Sequence, residues 1–125
     1  MGKADEFGAP VELDAGTRIV PITNPDKVMF PSVGPAKEPR TKLDVARYYV
    51  AVADALMPTV LDRPVLLERY PNGVREKSFF QKRIPDSAPD WLVTTTVETI
   101  NGTPSRALVI ADFAHVLWAV NMGVL

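Results

Sequence analysis

The segment Ser78-Phe79-Phe80-Gln81-Lys82-Arg83 sets two adjacent aromatic rings beside two cations. In a strand, successive side chains point to opposite faces, so one phenylalanine can be buried while its neighbour is presented among basic groups. A ring so presented stacks on a nucleobase for about 1–3 kcal/mol, and lysine or arginine neutralises phosphate. The plainer reading of the same residues is two core phenylalanines flanked by solvated charges, because large apolar side chains are more often simply buried. The surroundings favour an anion: Arg69, Arg75, Lys77, Lys82 and Arg83 stand against Glu76 alone, in a chain whose net charge is −1.

Asn24, Lys27 and Lys42 form a second group. One amide and two ammonium groups near a helix start can hold a single phosphate, helped by the backbone N–H groups of a helix beginning at Lys42. Spacing alone does not separate this arrangement from ordinary exposed lysines. A catalytic centre is not legible. Nucleotidyl transfer by two metals needs closely placed carboxylates, and Asp86 and Asp90 are loop residues separated by Ala88-Pro89. There is no Walker loop and no GxGxxG. With no cysteine and His115 as the only histidine, a zinc site is excluded, and His115 reads as structural or surface.

These residues need elements to hold them. Thr41 as N-cap with Asp44 three residues on marks a helix start. Leu43, Ala46, Tyr49, Val50, Ala53, Leu56 and Met57 then recur at helical spacing until Pro58, which should end the helix. Arg18–Thr23 reads as a short strand, with Pro21 indicating an edge. Asn24-Pro25-Asp26-Lys27 is a turn, followed by the apolar step Val28–Phe30 and an exposed loop from Ser32 to Arg40. Val65-Leu66-Leu67 is a strand, and Ser78–Arg83 is another. Leu92–Ile100 and Arg106–Ile110 pair across Asn101-Gly102. Asp112 caps a last helix carrying Phe113, Val116, Leu117, Val120 and Val124. The fold class is α+β: a small, mainly antiparallel sheet with two packed helices.

The 125 residues, 46% hydrophobic and 23% charged, suit about one domain, and twelve prolines keep its elements short. Residues 1–16 read as a flexible tail, and 17–125 as the folded part. Neither a signal peptide nor a membrane span is present, so a cytoplasmic protein is expected. Trp118–Leu125 runs apolar to the end. Each buried large side chain there contributes roughly 1.5–3 kcal/mol, so residues 112–125 should require a covering surface, by self-association or from another chain.

Taken in order, the motifs resemble the N-terminal part of the polymerase domain of bacterial DNA ligase D, a branch of the archaeo-eukaryotic primase superfamily. They are Thr23–Pro31, Thr41-Lys42-Leu43-Asp44 with Tyr48-Tyr49, Arg63-Pro64, Glu68–Gly73, Phe79-Phe80-Gln81-Lys82, Ala88–Trp91 and Leu117-Trp118-Ala119. The resemblance covers about residues 18–125. It implies that Asn24, Lys27 and Lys42 bind the 5′-phosphate of a DNA end and that Phe79 and Phe80 stack on the template. Arg69, Lys77, Lys82 and Arg83 would then meet the DNA backbone. The family repairs double-strand breaks by non-homologous end joining, alongside Ku and a ligase. Two departures follow. The Ser32–Arg40 loop is longer than in many relatives. The family's catalytic histidine and Asp-x-Asp metal ligands are expected beyond Leu125, so catalytic and metal-binding residues are assigned to none of these positions. Divalent manganese or magnesium and a nucleoside triphosphate belong to the full family domain, and this chain alone is expected to be inactive. The leading expectation is a DNA-end-binding portion of an end-joining polymerase. The alternative is a non-catalytic remnant or interaction module docking through its apolar C-terminal helix.

Overall fold

The structure, a computed structural model, describes residues 7–31, 38–65, 67–73, 77–81, 84, 88–98, 102 and 104–124, without the side chains of 79–81 and 98. In chain order the elements are β1 (Val11–Asp14), β2 (Ile19–Ile22), β3 (Val28–Phe30), β4 (Arg40–Thr41), α1 (Lys42–Val60), β5 (Pro64–Val65), β6 (Leu67–Arg69), β7 (Phe79–Gln81), β8 (Thr94–Glu98), β9 (Pro104–Val109) and α2 (Phe113–Asn121). This is the expected α+β class. Every strand pairing is antiparallel, divided among the ribbons β1–β2, β3–β4 and β6–β7 and the three-stranded sheet β5–β9–β8.

Helix α2 is the centre of the fold. A helix that is apolar on every side is stable only when covered all round, and Ala114 through Val120 are all buried. Ala114, Leu117 and Val120 join Val20, Ile22, Met29 and Ala46 in one cluster. Val116, Trp118 and Ala119 join Leu67, Leu108 and Ile110 in another. The surface that α2 requires is therefore supplied by the chain's own β2, α1, β6 and β9, which corrects the expected docking of this helix on a second chain. The sequence also holds the glycine stop that the apolar run obscures. Gly123 has φ +89, its N–H donates to the Val120 carbonyl, and the Val124 N–H donates to that of Ala119. This is a Schellman ending.

At the other end of α2, Asp112 occupies the N-cap position but makes no capping hydrogen bond with its side chain. Its carboxylate instead accepts from the Thr17 hydroxyl at 2.9 Å and faces His115 Nδ1 at 2.7 Å. His115 is buried, and its Nε2 accepts the Val93 N–H at 2.8 Å, which leaves Nδ1 as the donor to Asp112. The structural reading of this histidine fits: it ties the segment before β8 to the first turn of α2.

Helix α1 opens with the capping box expected from Thr41 and Asp44. The Asp44 N–H donates to Thr41 Oγ1 at 3.2 Å, and the Thr41 N–H donates to Asp44 Oδ2 at 2.9 Å. Its end differs from expectation, since Pro58 lies inside the helix, which runs to Val60. Proline there forfeits only the bond to the carbonyl of exposed Asp54, which water can satisfy. Val65 and Leu67, expected in one strand, find different partners, β9 and β7, on either side of residue 66. Residues 11–14, read as part of a tail, form β1. Val11 and Leu13 turn inward while Glu12 and Asp14 turn out, and Leu13 pairs with Val20 and packs on the core.

Replacing Thr41 by alanine removes one of the two capping bonds and should lower unfolding stability by about 1 kcal/mol. Thr41→Ser should retain most of it. Urea unfolding measures both, and an alanine variant as stable as the parent would show that the cap contributes nothing.

Candidate nucleic-acid interface

Three elements converge on one cavity. Asn24-Pro25-Asp26-Lys27 folds as a turn closed by the Lys27 N–H to the Asn24 carbonyl at 3.1 Å, with Asn24 at φ 51, a left-handed conformation that asparagine tolerates. The turn docks on the start of α1: the Lys42 N–H donates to the Lys27 carbonyl at 2.8 Å and the Leu43 N–H to the Pro25 carbonyl at 3.0 Å. With the Asp44 N–H held by Thr41, these first amides of α1 are committed to the protein. They are not free for a phosphate, contrary to the sequence-based expectation. Any anion must be held by side chains.

Those side chains are gathered by the far end of α2. The last carbonyls of a helix lack intrahelical partners and sit at its negative pole. Lys42 Nζ donates to the Asn121 carbonyl at 3.0 Å, and Arg69 Nε donates to that of Met122 at 2.6 Å. Asn121 Oδ1 accepts from the N–H of Thr23 at 2.8 Å and from its hydroxyl at 3.1 Å, fixing the residue before the turn. Strand β6 is held to the same corner by the Tyr70 N–H to the Gly123 carbonyl at 2.8 Å and by the bridge between Arg69 and Val124. A Cβ on Gly123 would meet the Tyr70 carbonyl oxygen at 3.3 Å, so this close approach needs glycine as well as its positive φ.

The resulting cavity measures about 240 Å³, and Asn24, Lys27, Lys42, Arg69 and Asn121 are among the residues lining it. None of its described lining residues is acidic. No carboxylate among the described residues pairs with Lys27 or Lys42. Lys42 is only 6% exposed, and burial, followed by the charges of Lys27 and Arg69, lowers its pKa from the ordinary 10.5 to about 8. Lys27, Lys42 and Arg69 around a concavity with no acidic side chain in its described lining make an anion-binding arrangement, because an anion relieves their mutual repulsion.

Of the residues singled out from sequence, Asn24, Lys27 and Lys42 thus line one cavity, joined by Arg69, which had been grouped with the downstream cations. Asn121 was not anticipated, and an asparagine closing an apolar helix was the available signal. Phe79 and Phe80 lie in β7, where Phe79 is the register partner of Arg69 and Phe80 of Glu68; their side chains are outside the description. Lys77 is exposed just before β7, with Ser78 Oγ donating to Glu68 at 2.8 Å beside it. Lys82 and Arg83 lie outside the described residues.

Comparison with known proteins identifies the family. The profile of the family described as LigD, primase-polymerase domain, matches residues 41–125. The multifunctional non-homologous end joining protein LigD of Mycolicibacterium smegmatis is 39% identical over 90 residues, which are 72% of this chain and 11% of that protein. The bifunctional non-homologous end joining protein LigD of Bacillus subtilis is 36% identical over 100 residues, 80% of this chain and 15% of that protein. The solved polymerase domain from Mycobacterium tuberculosis ligase D, in complex with DNA, aligns with a TM-score of 0.72 and 32% identity, over 84% of this chain and 34% of that one. The chain therefore spans a small part of these curated relatives and about a third of the solved domain.

Because the pKa of Lys42 in the fold lies below its unfolded value, the unfolded chain binds more protons between pH 8 and 10.5, and this group raises stability as pH climbs through that window. Lysine side-chain NMR should find one ammonium titrating near pH 8, absent from Lys42→Met. Titration of every lysine together near 10.5 would contradict the buried geometry.

Proposed function

Given that this chain belongs to the LigD primase-polymerase family, we propose that it recognises DNA ends, holding a 5′-phosphate in the cavity between the Asn24–Lys27 turn, the start of α1 and the end of α2. The observation that carries this reading is the cavity lined by Lys27, Lys42 and Arg69 with Asn24, with no acid among its described lining residues. Hydrogen bonds from such cations to phosphate contribute about 1.5–3 kcal/mol each. Two of the three cations are oriented beforehand by the carbonyls of Asn121 and Met122, so little side-chain freedom is lost on binding.

The template strand has its candidate platform next door. Strand β7 carries Phe79 and Phe80 and pairs with β6, whose Arg69 lines the cavity, so the two sites are about one strand spacing of 5 Å apart at the backbone. In this reading Lys77, Lys82 and Arg83 follow the DNA backbone beside the aromatic pair. In this reading the protein works in the bacterial cytoplasm, alongside Ku and a ligase. No helix among the described residues is long and apolar enough to cross a membrane.

Nucleotide addition is not assigned to these residues. The divalent metal implied by the family needs clustered carboxylates or imidazoles, and the described residues contain no group of three or more His, Asp or Glu side chains that could hold one. The manganese or magnesium and the nucleoside triphosphate are proposed for the family domain as a whole.

Binding of 3′-labelled gapped DNA with and without a 5′-phosphate, followed by fluorescence anisotropy at two salt concentrations, tests the reading. The phosphorylated form should bind about tenfold more tightly, with the advantage shrinking as salt rises. Lys27→Ala should bind both forms alike. A folded parent protein that ignores the phosphate, or a Lys27→Ala variant that keeps the preference, would overturn the assignment.

A further inference from the structure

The ribbon that carries Lys27 on one side of the phosphate cavity also borders a larger concavity. It measures about 540 Å³ and lies between β3–β4 and the first two turns of α1, with Phe30, Arg40, Val45, Arg47, Tyr48 and Tyr49 in its wall. Ligand clefts are commonly of this size, roughly 300–1,000 Å³. The register of the ribbon explains how the groove forms. Val28 pairs with Thr41 and Phe30 with Arg40, so β3 holds an extra residue at this point, and along it Met29 is buried while Val28 and Phe30 are exposed. Met29 is fully buried and lines the phosphate cavity, whereas Phe30 is 39% exposed.

Solvent-facing aromatic rings beside arginines need an explanation, and here they are held in place. Tyr48 is 62% exposed, yet its ring lies edge-on to Tyr49 with centroids 5.6 Å apart. Arg40 and Arg47 are exposed at the same groove. Its one acid in the described lining, Asp44, already accepts the Thr41 N–H at the positive pole of α1. Arg40 and Arg47 outnumber the one acid in the described lining, which favours a polyanion, and open aromatic faces favour one that carries bases.

We propose that this groove binds one or two unpaired nucleotides of the DNA end, with Arg40 and Arg47 holding phosphates and Tyr48 and Phe30 stacking bases. The proposal rests on the end-recognition reading above. Arg40 stands two residues from Lys42, about 7 Å along the backbone, which about two nucleotides of a stacked strand span. A strand that enters the phosphate cavity thus comes within reach of the groove. An acidic peptide would match the arginines but would leave the stacking faces unused.

The phosphate preference reads the cavity, and affinity that is lost irrespective of the phosphate reads the groove, so the two assignments separate in one experiment. The full chain is titrated against 3′-labelled gapped DNA with a short unpaired stretch, phosphorylated or not, and against labelled oligothymidine. Tyr48→Ala should weaken all three by about fivefold or more, leaving the preference for the phosphorylated form intact. Arg40→Ala with Arg47→Ala should lower the salt dependence of oligothymidine binding by about one unit of log–log slope. Both variants alter exposed side chains, and unchanged unfolding midpoints would verify their fold. Parental affinity in both variants, with the preference intact, would overturn the groove alone. Loss of preference with Tyr48-dependent binding retained would overturn the cavity alone and support the groove. Absence of any DNA binding by the folded parent would overturn both. Binding of an Asp/Glu-rich peptide that is lost in these variants, with DNA affinity unchanged, would assign the groove to a protein partner and overturn the proposal.

Discussion

The C-terminal carbonyls of α2 need partners, and two cations from distant parts of the chain supply them. Lys42 reaches the Asn121 carbonyl from the first turn of α1, and Arg69 reaches that of Met122 from β6. A favourably placed cation at a helix C-terminus contributes about 0.3–2 kcal/mol, the larger values applying to partly buried geometries. The structural consequence is larger than the energy. The same two bonds draw α1, β6 and the Asn24–Lys27 turn to one corner, where the Asn121 side chain also holds Thr23. Burying Lys42 beside two other cations is unfavourable in isolation, and the lowered pKa expresses that strain. The packing of α2 by both halves of the core provides the stability that keeps the arrangement in place.

Much of this was legible in the sequence wherever a local rule and the packing agreed. The capping box at Thr41 and Asp44, the helical spacing within α1 and the antiparallel pairing of β8 with β9 are local signals, and each forms, while Asn101 of the expected turn lies outside the described residues. The extent of the elements was less legible. Pro58 stays helical because the carbonyl it leaves unmatched belongs to exposed Asp54. The strand expected through Leu67 divides because Val65 and Leu67 pair with different neighbours. Strand β1 was hidden because its alternation spans only four residues, between Pro10 and Gly16.

The site was legible in its chemistry but not in its architecture. Asn24, Lys27 and Lys42 stand out as types that bind phosphate, but nothing in their spacing shows that the helix amides beside them are consumed by the turn. Arg69 joins them through a tertiary contact with α2 that no local pattern encodes. The apolar end of the chain suggested an outside partner because Asn121 is the one polar side chain in its last eight residues. The glycine that closes it, and the sheets that cover it, become apparent only when strands far apart in sequence are brought together.

The claim on which the account depends is that one cavity, built around the end of α2, receives the phosphate. Amide chemical-shift mapping of the isotope-labelled chain with a 5′-phosphorylated dinucleotide, against the same dinucleotide without phosphate, tests it most directly. The account predicts phosphate-dependent shifts concentrated at Asn24, Lys27, Lys42, Arg69 and Asn121 through Gly123, which lie in four separate stretches of sequence but line one cavity. Identical shifts with both ligands, or phosphate-dependent shifts centred away from these residues, would contradict it.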